Sequence, residues 1–148
     1  MSEVRLVSSM EGLDGAPVLI LANPIGTTRA IWDAQVRVLR ENYRLLRFEL
    51  RGHGEPGLQS DAPPGPYSIA ELGTDVLGLM REHGVTTAAY CGISIGAEDQ
   101  AAPPWQGAMT AAGIADSRLR VIRGTSHLAP YQTPGPVTAA IRAHLAAS

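Results

Sequence analysis

The sequence contains no lysine, and all twelve of its basic residues are arginine. The absence of lysine excludes Schiff-base catalysis and a phosphate-binding loop of the kind that requires lysine. The single cysteine, Cys91, excludes an internal disulfide and provides no thiolate cluster for a metal. A formal net charge of −2 gives no electrostatic reason to expect nucleic acid or an anionic membrane as a partner.

The sequence also lacks a basic-then-apolar leader and any apolar run of membrane-spanning length. Its composition, with 45% apolar and 18% charged residues, is ordinary for a globular protein. A chain of 148 residues is expected to form one domain, residues 1–148, around a core of its own. These features predict a cytoplasmic protein.

Apolar runs and helical periodicities alternate along the chain. The predicted strands cover residues 4–8, 18–22, 43–50, 86–93 and 119–122. The predicted helices cover residues 31–41, 68–84, 105–115 and 137–146, and Ser68 with Glu71 has the spacing of a capping box. Since strands alternate with helices, we expect an α/β fold in which helices cover both faces of a mostly parallel sheet.

The predicted strand 86–93 runs into the sequence Gly92-Ile93-Ser94-Ile95-Gly96. A Gly-x-Ser-x-Gly sequence that ends an apolar strand is typical of the strand-to-helix turn that presents a nucleophilic serine. The glycines suit the strained backbone of such a turn, where side chains would crowd it. The pattern therefore predicts that Ser94 is a nucleophile.

Four histidines are candidates for the general base that such a serine needs. His83 ends a predicted helix, which favours a structural role, and His144 is expected to be solvated on the last helix. His127 directly follows the last predicted strand, at the edge where parallel sheets carry their active sites. Its place after the serine in the chain also fits. His53, in a turn after the strand 43–50, remains a competitor.

Two backbone N–H groups are expected to hold the oxyanion that forms during acyl transfer. One belongs to Ile95, the residue after the nucleophile, and the other to the loop after the first buried strand. That loop has the sequence Asn23-Pro24-Ile25-Gly26, and Ile25 is its candidate donor. The tetrapeptide is also compatible with a simple turn.

With this serine turn, this histidine and this loop, the chain resembles the α/β-hydrolases. Its first 96 residues resemble the 3-oxoadipate enol-lactonases. The resemblance is carried by LANPIGTT at 21–28, IWDAQ at 31–35, RGHG at 51–54 and CGISIG at 91–96. It implies hydrolysis of an enol-lactone to 3-oxoadipate, in the breakdown of aromatic compounds, without a cofactor. It also implies that Ser94 and His127 are triad members and that His53 belongs to a structural turn.

The chain departs from this family pattern directly after the serine. Residues 96–104 resemble the family's acid-bearing loop joined straight onto the nucleophile turn, which implies that Asp99 is the triad acid. Glu98 and Asp116 are weaker candidates. The helix after the serine, the helical cap and two strands of the family are expected to be missing.

Because of this shortening, the chain cannot easily have both a helix that starts at Ser94 and an Asp99 that reaches His127. A helix that starts at Ser94 would carry Asp99 about 7–8 Å along its axis, away from the pocket. An extended segment would reach about 17 Å, enough to bring Asp99 to His127, but it would remove the helix N-terminus that helps to hold the oxyanion.

The missing cap has consequences for activity and for assembly. We expect a serine hydrolase of low specificity that acts on small esters or lactones. Alternatives are acyl transfer or perhydrolysis on the same scaffold, or a catalytically dead variant or binding module. Apolar surface exposed around Ile25, Trp32 and Ile95 would favour a homodimer.

Overall fold

The computed structural model describes residues 4–24, 26–54, 65–93, 120–122, 125 and 128–147. The chain divides into two compact units, Met1–Gly92 and Ile93–Ser148. The single domain expected over residues 1–148 stays a prediction. A search of the described residues finds no helix that is both long and apolar enough to cross a membrane.

The described part of the first unit contains a sheet and two helices. Its strands are β1 (Ser8–Gly12), β2 (Val18–Ala22), β3 (Arg44–Phe48) and β4 (Ala89–Gly92). A 3-10 turn (Arg29–Trp32) leads into helix α1 (Asp33–Leu39), and helix α2 is Ile69–Glu82. The described part of the second unit contains α3 (Ala129–Gln132) and α4 (Pro134–Leu145).

The four strands lie in the order β1-β3-β2-β4. Strands β3 and β4 each pair with β2 in parallel, whereas β1 pairs with β3 in the antiparallel direction. The sheet is therefore mostly parallel, which confirms the predicted α/β class. Because β2 has a neighbour on both sides, its carboxyl end lies in the middle of the sheet.

The core of the first unit forms where β2 and β3 are covered by helix α2. Strand β2 is a continuous apolar run, as expected for a strand buried on both faces, whereas β3 buries Leu45, Leu46 and Phe48 and carries half-buried arginines at 44 and 47. The central cluster of buried side chains consists of Leu6, Ile20, Ala22, Leu46, Phe48 and Leu79. On the opposite face of the same strands, Leu19, Leu21 and Leu45 are also fully buried.

Helix α2 begins as its sequence predicts. The Ser68 hydroxyl accepts a hydrogen bond from the Glu71 backbone N–H at 3.2 Å. In return, the Glu71 carboxylate accepts from the Ser68 backbone N–H at 2.7 Å. This reciprocal pair is a capping box, so the predicted start of the helix is confirmed.

Other predictions are corrected. The first strand is Ser8–Gly12 rather than 4–8, because its extent is set by antiparallel pairing with β3. Residues 120–122 form no strand, and Val121 is half-exposed, so the predicted strand 119–122 is wrong over these residues. Arg120 interrupts the apolar residues of this short segment, so its pattern does not specify a buried strand. Helix α4 begins at Pro134 rather than 137, because proline fits the first helical position. The predicted helix 105–115 lies outside the described residues.

Trp32 does not belong to an exposed apolar surface. Its side chain is fully buried at the end of the 3-10 turn. The expectation of exposed apolar surface at this residue is therefore wrong, and the other two residues of that surface, Ile25 and Ile95, lie outside the described residues.

Candidate active site

The carboxyl ends of β2 and β4 meet at one edge of the sheet. Ala22, the last residue of β2, pairs in register with Gly92, the last residue of β4. The loop that begins at Asn23 therefore starts beside the strand end that leads to the Gly-x-Ser-x-Gly sequence. Strand β3 runs in the same direction and is followed at this edge by Glu49. Open α/β sheets bind their ligands at the carboxyl ends of their strands.

The residues predicted to carry the chemistry lie outside the described residues. They are Ser94, His127 and Asp99 of the triad, Ile25 and Ile95 of the oxyanion hole, and the weaker acid candidates Glu98 and Asp116. Their roles stay predictions. What the structure describes is the strand ends and the loop residues on either side of them.

The loop after β2 is closed by its own hydrogen bonds. The Asn23 side-chain Nδ2 donates to the Thr27 carbonyl oxygen at 2.8 Å and lies 3.4 Å from the Thr27 hydroxyl. The Thr27 hydroxyl donates to the Pro24 carbonyl oxygen at 2.7 Å, and the Thr27 backbone N–H donates to the same oxygen at 3.2 Å. We call these bonds among Asn23, Pro24 and Thr27 the loop clamp.

The loop clamp explains why this tetrapeptide contains both asparagine and glycine. Gly26 has φ +80°, in the left-handed region that side chains disfavour. Asn23 is only 4% exposed, and its Oδ1 has no hydrogen-bond partner among the described residues. The simple turn between Pro24 and Thr27 is therefore present, and a buried side chain secures it.

Glu49 anchors the far end of the same loop. Its two carboxylate oxygens each lie 3.1 Å from the Arg29 backbone nitrogen, whose N–H they accept. The Arg29 side chain adds an ion pair, with Nε 3.7 Å from Oε1. Glu49 is 5% exposed, and it stabilises the N-terminus of the 3-10 turn with a negative charge. Sequence reasoning missed Glu49, although a carboxylate directly after a buried strand was a usable signal.

The turn Arg51-Gly52-His53-Gly54 is tied to helix α2. The Arg51 guanidinium binds the Asp75 carboxylate at two points, Nε to Oδ2 at 2.5 Å and Nη2 to Oδ1 at 2.7 Å. The Tyr67 ring covers the guanidinium, with 5.4 Å between Cζ and the ring centroid. The hydrogen bonds to Asp75 raise the pKa of Arg51 above its usual value. Arg51 is therefore a permanent cation inside the protein.

His53 is held by this turn. Its Nδ1 lies 2.9 Å from the Arg51 carbonyl oxygen, and because a carbonyl only accepts, Nδ1 must carry the hydrogen. Its backbone N–H donates to the Leu50 carbonyl oxygen at 2.9 Å. These bonds agree with the structural turn that the resemblance implies for His53.

Two other described histidines belong to helices α2 and α4. His83 caps the end of α2, and its Nε2 lies 3.0 Å from the Ser8 hydroxyl, in agreement with a structural role. His144 lies on α4 and is half-buried, so the expectation that it is solvated is wrong. The Nδ1 atom of His144 is buried.

Cys91 and Gly92 are the last two residues of β4. Burial raises the pKa of the Cys91 thiol to about 11, so the thiol is neutral at physiological pH and is a poor nucleophile. A Cβ atom at Gly92 would lie 3.2 Å from Cε1 of Tyr90, which explains the glycine there by crowding. Over the residues the structure describes, no three His, Cys, Asp or Glu side chains form a group able to hold a metal ion.

In the second unit, Thr125 is bonded to the chain before it. Its side chain is 2% exposed, and its hydroxyl donates to the Ile122 carbonyl oxygen at 2.8 Å. Helix α3 begins at Ala129, two residues after His127.

Part of the chain is similar in sequence to known hydrolases. It is 36% identical over 94 residues to 3-oxoadipate enol-lactonase 2 of Acinetobacter baylyi, and this match covers 64% of this chain and 34% of that protein. It is 30% identical over 82 residues to the putative carbamate hydrolase RutD of Caulobacter segnis, which covers 55% of this chain and 30% of that protein. The chain thus spans about a third of the length of these curated relatives. No family model matches the chain.

Solved structures resemble the whole chain. The enol-lactonase from Burkholderia xenovorans LB400 superposes with a TM-score of 0.83 at 21% identity, and the match covers 97% of each chain. A thermophilic esterase from Thermogutta terrifontis gives a TM-score of 0.76 at 18% identity, covering 96% of this chain and 93% of that chain. The chain therefore has the α/β-hydrolase fold, and the proteins that it resembles in sequence include 3-oxoadipate enol-lactonases and putative carbamate hydrolases.

Proposed function

We propose that this chain, which has the α/β-hydrolase fold, hydrolyses small carboxylic esters or lactones with Ser94 as its nucleophile. His127 would accept the serine proton, Asp99 would orient His127, and the backbone N–H groups of Ile25 and Ile95 would hold the oxyanion. A small-molecule ester or lactone is the proposed partner of this site.

One observation supports the proposal above the others: the pairing of Ala22 with Gly92. Ser94 is two residues beyond Gly92, so covalent geometry keeps their Cα atoms within about 7 Å. Ile25 is three residues beyond Ala22, within about 11 Å by the same limit. A nucleophile and an oxyanion donor therefore begin from adjacent strand ends, which is the arrangement that acyl transfer needs.

The chemistry would follow in two stages. Ser94 Oγ attacks the carbonyl carbon while His127 takes its proton, and the carbonyl oxygen becomes an oxyanion. Collapse of this intermediate breaks the bond to the leaving oxygen, which takes the proton from His127 and leaves an acyl-serine. Water, deprotonated by the same histidine, then releases the acid and restores Ser94. For a lactone, the leaving oxygen stays attached to the product through the opened ring.

The proposed substrate class derives from the sequence relatives. The first of them is named for an enol-lactone, and others are named as putative carbamate hydrolases. Both reactions open an acyl bond to a heteroatom through an oxyanion, so the same site would serve either. We favour the lactone because identity to the lactonase is higher and extends over more residues.

Covalent labelling tests the nucleophile directly. A fluorophosphonate is expected to label the folded wild-type chain at one mole per mole and to leave Ser94→Ala unlabelled. Ser9→Ala is the matched control, because Ser9 lies on β1 and its hydroxyl only approaches Glu11. Wild-type protein that is folded but unlabelled would support the alternative of a catalytically dead scaffold.

A comparison of two histidine variants assigns the base. His127→Ala is expected to lower the labelling rate by at least about a hundredfold, the usual range for a general base. His53→Ala is expected to keep the labelling rate, because the proposal assigns the serine proton to His127 and gives His53 a structural role in the turn that its bond to the Arg51 carbonyl helps to hold. The opposite result would assign the base to His53.

A further inference from the structure

We propose that the side chains of Asn23 and Thr27 are positioning residues that fix the oxyanion donor between them. The inference rests on the proposed function, in which that donor is the backbone N–H of Ile25. Neither side chain needs to touch the substrate. Their role would be to hold the peptide units that flank Ile25 in one arrangement.

The loop clamp secures both sides of Ile25. On one side, the Pro24 carbonyl oxygen accepts two hydrogen bonds, from the Thr27 hydroxyl at 2.7 Å and the Thr27 backbone N–H at 3.2 Å. On the other side, the Thr27 carbonyl oxygen accepts from Asn23 Nδ2 at 2.8 Å. Proline also restricts its own φ, which leaves this loop few alternatives.

The orientation of the Asn23 amide follows from its partner. A carbonyl oxygen accepts but cannot donate, so the amide nitrogen must face Thr27 and the amide oxygen must face away. Because only 4% of Asn23 is exposed, bulk water has little access to compete for this bond. The clamp therefore has one stable arrangement.

The two ends of the loop are fixed as well. Asn23 directly follows Ala22, which is paired with Gly92 in the sheet. At the other end, the Arg29 backbone N–H is bound by the buried Glu49 carboxylate at 3.1 Å. A loop anchored at both ends and bonded within itself loses little entropy when the transition state forms, as a preorganised oxyanion site requires.

The expected signature is a loss of kcat without a change in KM. Negative charge on the carbonyl oxygen develops only in the transition state, so a misplaced donor weakens that state and leaves ground-state binding unchanged. A displacement of about 1 Å can lower the rate by about a hundredfold. Loosening the clamp is therefore expected to lower kcat by about ten- to a hundredfold.

Two variants and one rescue test the clamp. Asn23→Ala removes the donor to the Thr27 carbonyl oxygen, and Thr27→Val removes the donor to the Pro24 carbonyl oxygen while it keeps the side-chain shape. Thr27→Ser restores the hydroxyl and is expected to restore kcat. Thr27 is only half-buried, so Thr27→Val keeps the experiment informative even where Asn23→Ala weakens folding.

The chain offers matched controls for both changes. Asn42→Ala removes the other asparagine, which is exposed before β3. Thr28→Val makes the same replacement one residue further on, where the hydroxyl makes no capping hydrogen bond. Both controls are expected to keep the wild-type kcat. Folding of every variant is checked by far-ultraviolet circular dichroism.

The measurements are turnover of 4-nitrophenyl acetate and the rate of fluorophosphonate labelling. The inference is supported if kcat and the labelling rate fall in Asn23→Ala and Thr27→Val, recover in Thr27→Ser, and KM stays constant. If the wild-type protein is labelled and the variants have the same kcat and labelling rate, or if only KM changes, the inference about the loop clamp is overturned while the proposed function stands. A folded wild-type chain with neither labelling nor turnover would overturn the proposed function, and the inference with it.

Discussion

Arg51 and Asp75 form a buried, two-point ion pair between the turn after β3 and the middle of α2. The contacts are 2.5 Å and 2.7 Å long, and neither residue is more than 8% exposed. Since both charges are withdrawn from water, each depends on the other for its stability in the fold. The turn that holds His53 is therefore attached to helix α2 mainly through this contact, and the Glu71 carboxylate of the same helix lies 3.9 Å from Nη1 of Arg51.

Asp75→Ala is expected to lower the free energy of unfolding by about 3–5 kcal/mol, because it removes the close two-point partner of the buried Arg51 charge and leaves it only the longer contact to Glu71 at 3.9 Å. Urea unfolding followed by circular dichroism measures the loss. Asp14→Ala is the control, since it breaks the Arg44–Asp14 contact at 3.9 Å, in which Asp14 is fully exposed. Surface pairs of this kind contribute about 0–1 kcal/mol. Equal losses in the two variants would contradict the prediction.

Ser68→Ala is expected to destabilise the protein by about 1 kcal/mol, because the Glu71 backbone N–H loses its capping acceptor. Thr74→Ala, on the exposed face of the same helix, is expected to be neutral or stabilising, since alanine has the higher helix propensity. Both are measured by thermal unfolding. A Ser68→Ala variant as stable as Thr74→Ala would show that the capping box contributes nothing to stability.

Cys91 is expected to make stability depend on alkaline pH. Its pKa is about 11 in the folded protein against an ordinary 9.0, so the unfolded chain releases the thiol proton first. The stabilisation is complete below pH 9.0 and is lost as the pH rises towards about 11. In Cys91→Ala, the free energy of unfolding is expected to decrease less as the pH rises from 9.0 to about 11.

The same thiol gives a second measurement on the wild-type chain. The difference between pKa values of 9.0 and about 11 makes the thiolate about a hundredfold rarer in the folded state at neutral pH. Iodoacetamide should therefore alkylate the folded chain about a hundredfold more slowly than the urea-unfolded chain. Equal rates in the two states would show that the thiol is not held in a desolvated site.

A homodimer remains our proposal for the assembly. Several large apolar side chains are exposed, among them Leu77 at 55%, Tyr90 at 54% and Tyr131 at 79%. Exposed apolar surface favours association when it forms a continuous patch. Size-exclusion chromatography with light scattering is expected to give twice the chain mass at high concentration. A monomer mass throughout the concentration range would exclude this proposal.

The sequence alone predicts elements whose stability is local or whose burial is complete. Strand Val18–Ala22 is a continuous apolar run and is observed with the predicted bounds. The start of α2 follows from Ser68 and Glu71, which bond within one turn. Strand β1, in contrast, is positioned by its distant partner β3, and no local pattern records that pairing.

The details around the candidate site could not be predicted for the same reason. The loop after β2 was identified from its position, but the bond from Asn23 to Thr27 depends on a loop conformation that the sequence does not state. Glu49 and Arg29 are twenty residues apart and meet only because β3 lies beside β2. Contacts that form only once the strands have paired cannot be predicted from the local sequence pattern.

The pairing of Ala22 with Gly92 also limits how this chain can change. Successive residues of a strand face opposite sides of the sheet, so a shift of one position turns every later side chain over. One residue inserted within β4 would therefore shift the pairing of Gly92 and move the later residues of the strand to the other face of the sheet, whereas an insertion beyond Thr28 would leave this pairing unchanged. Insertions and deletions at this edge are therefore tolerable only outside the two paired strands.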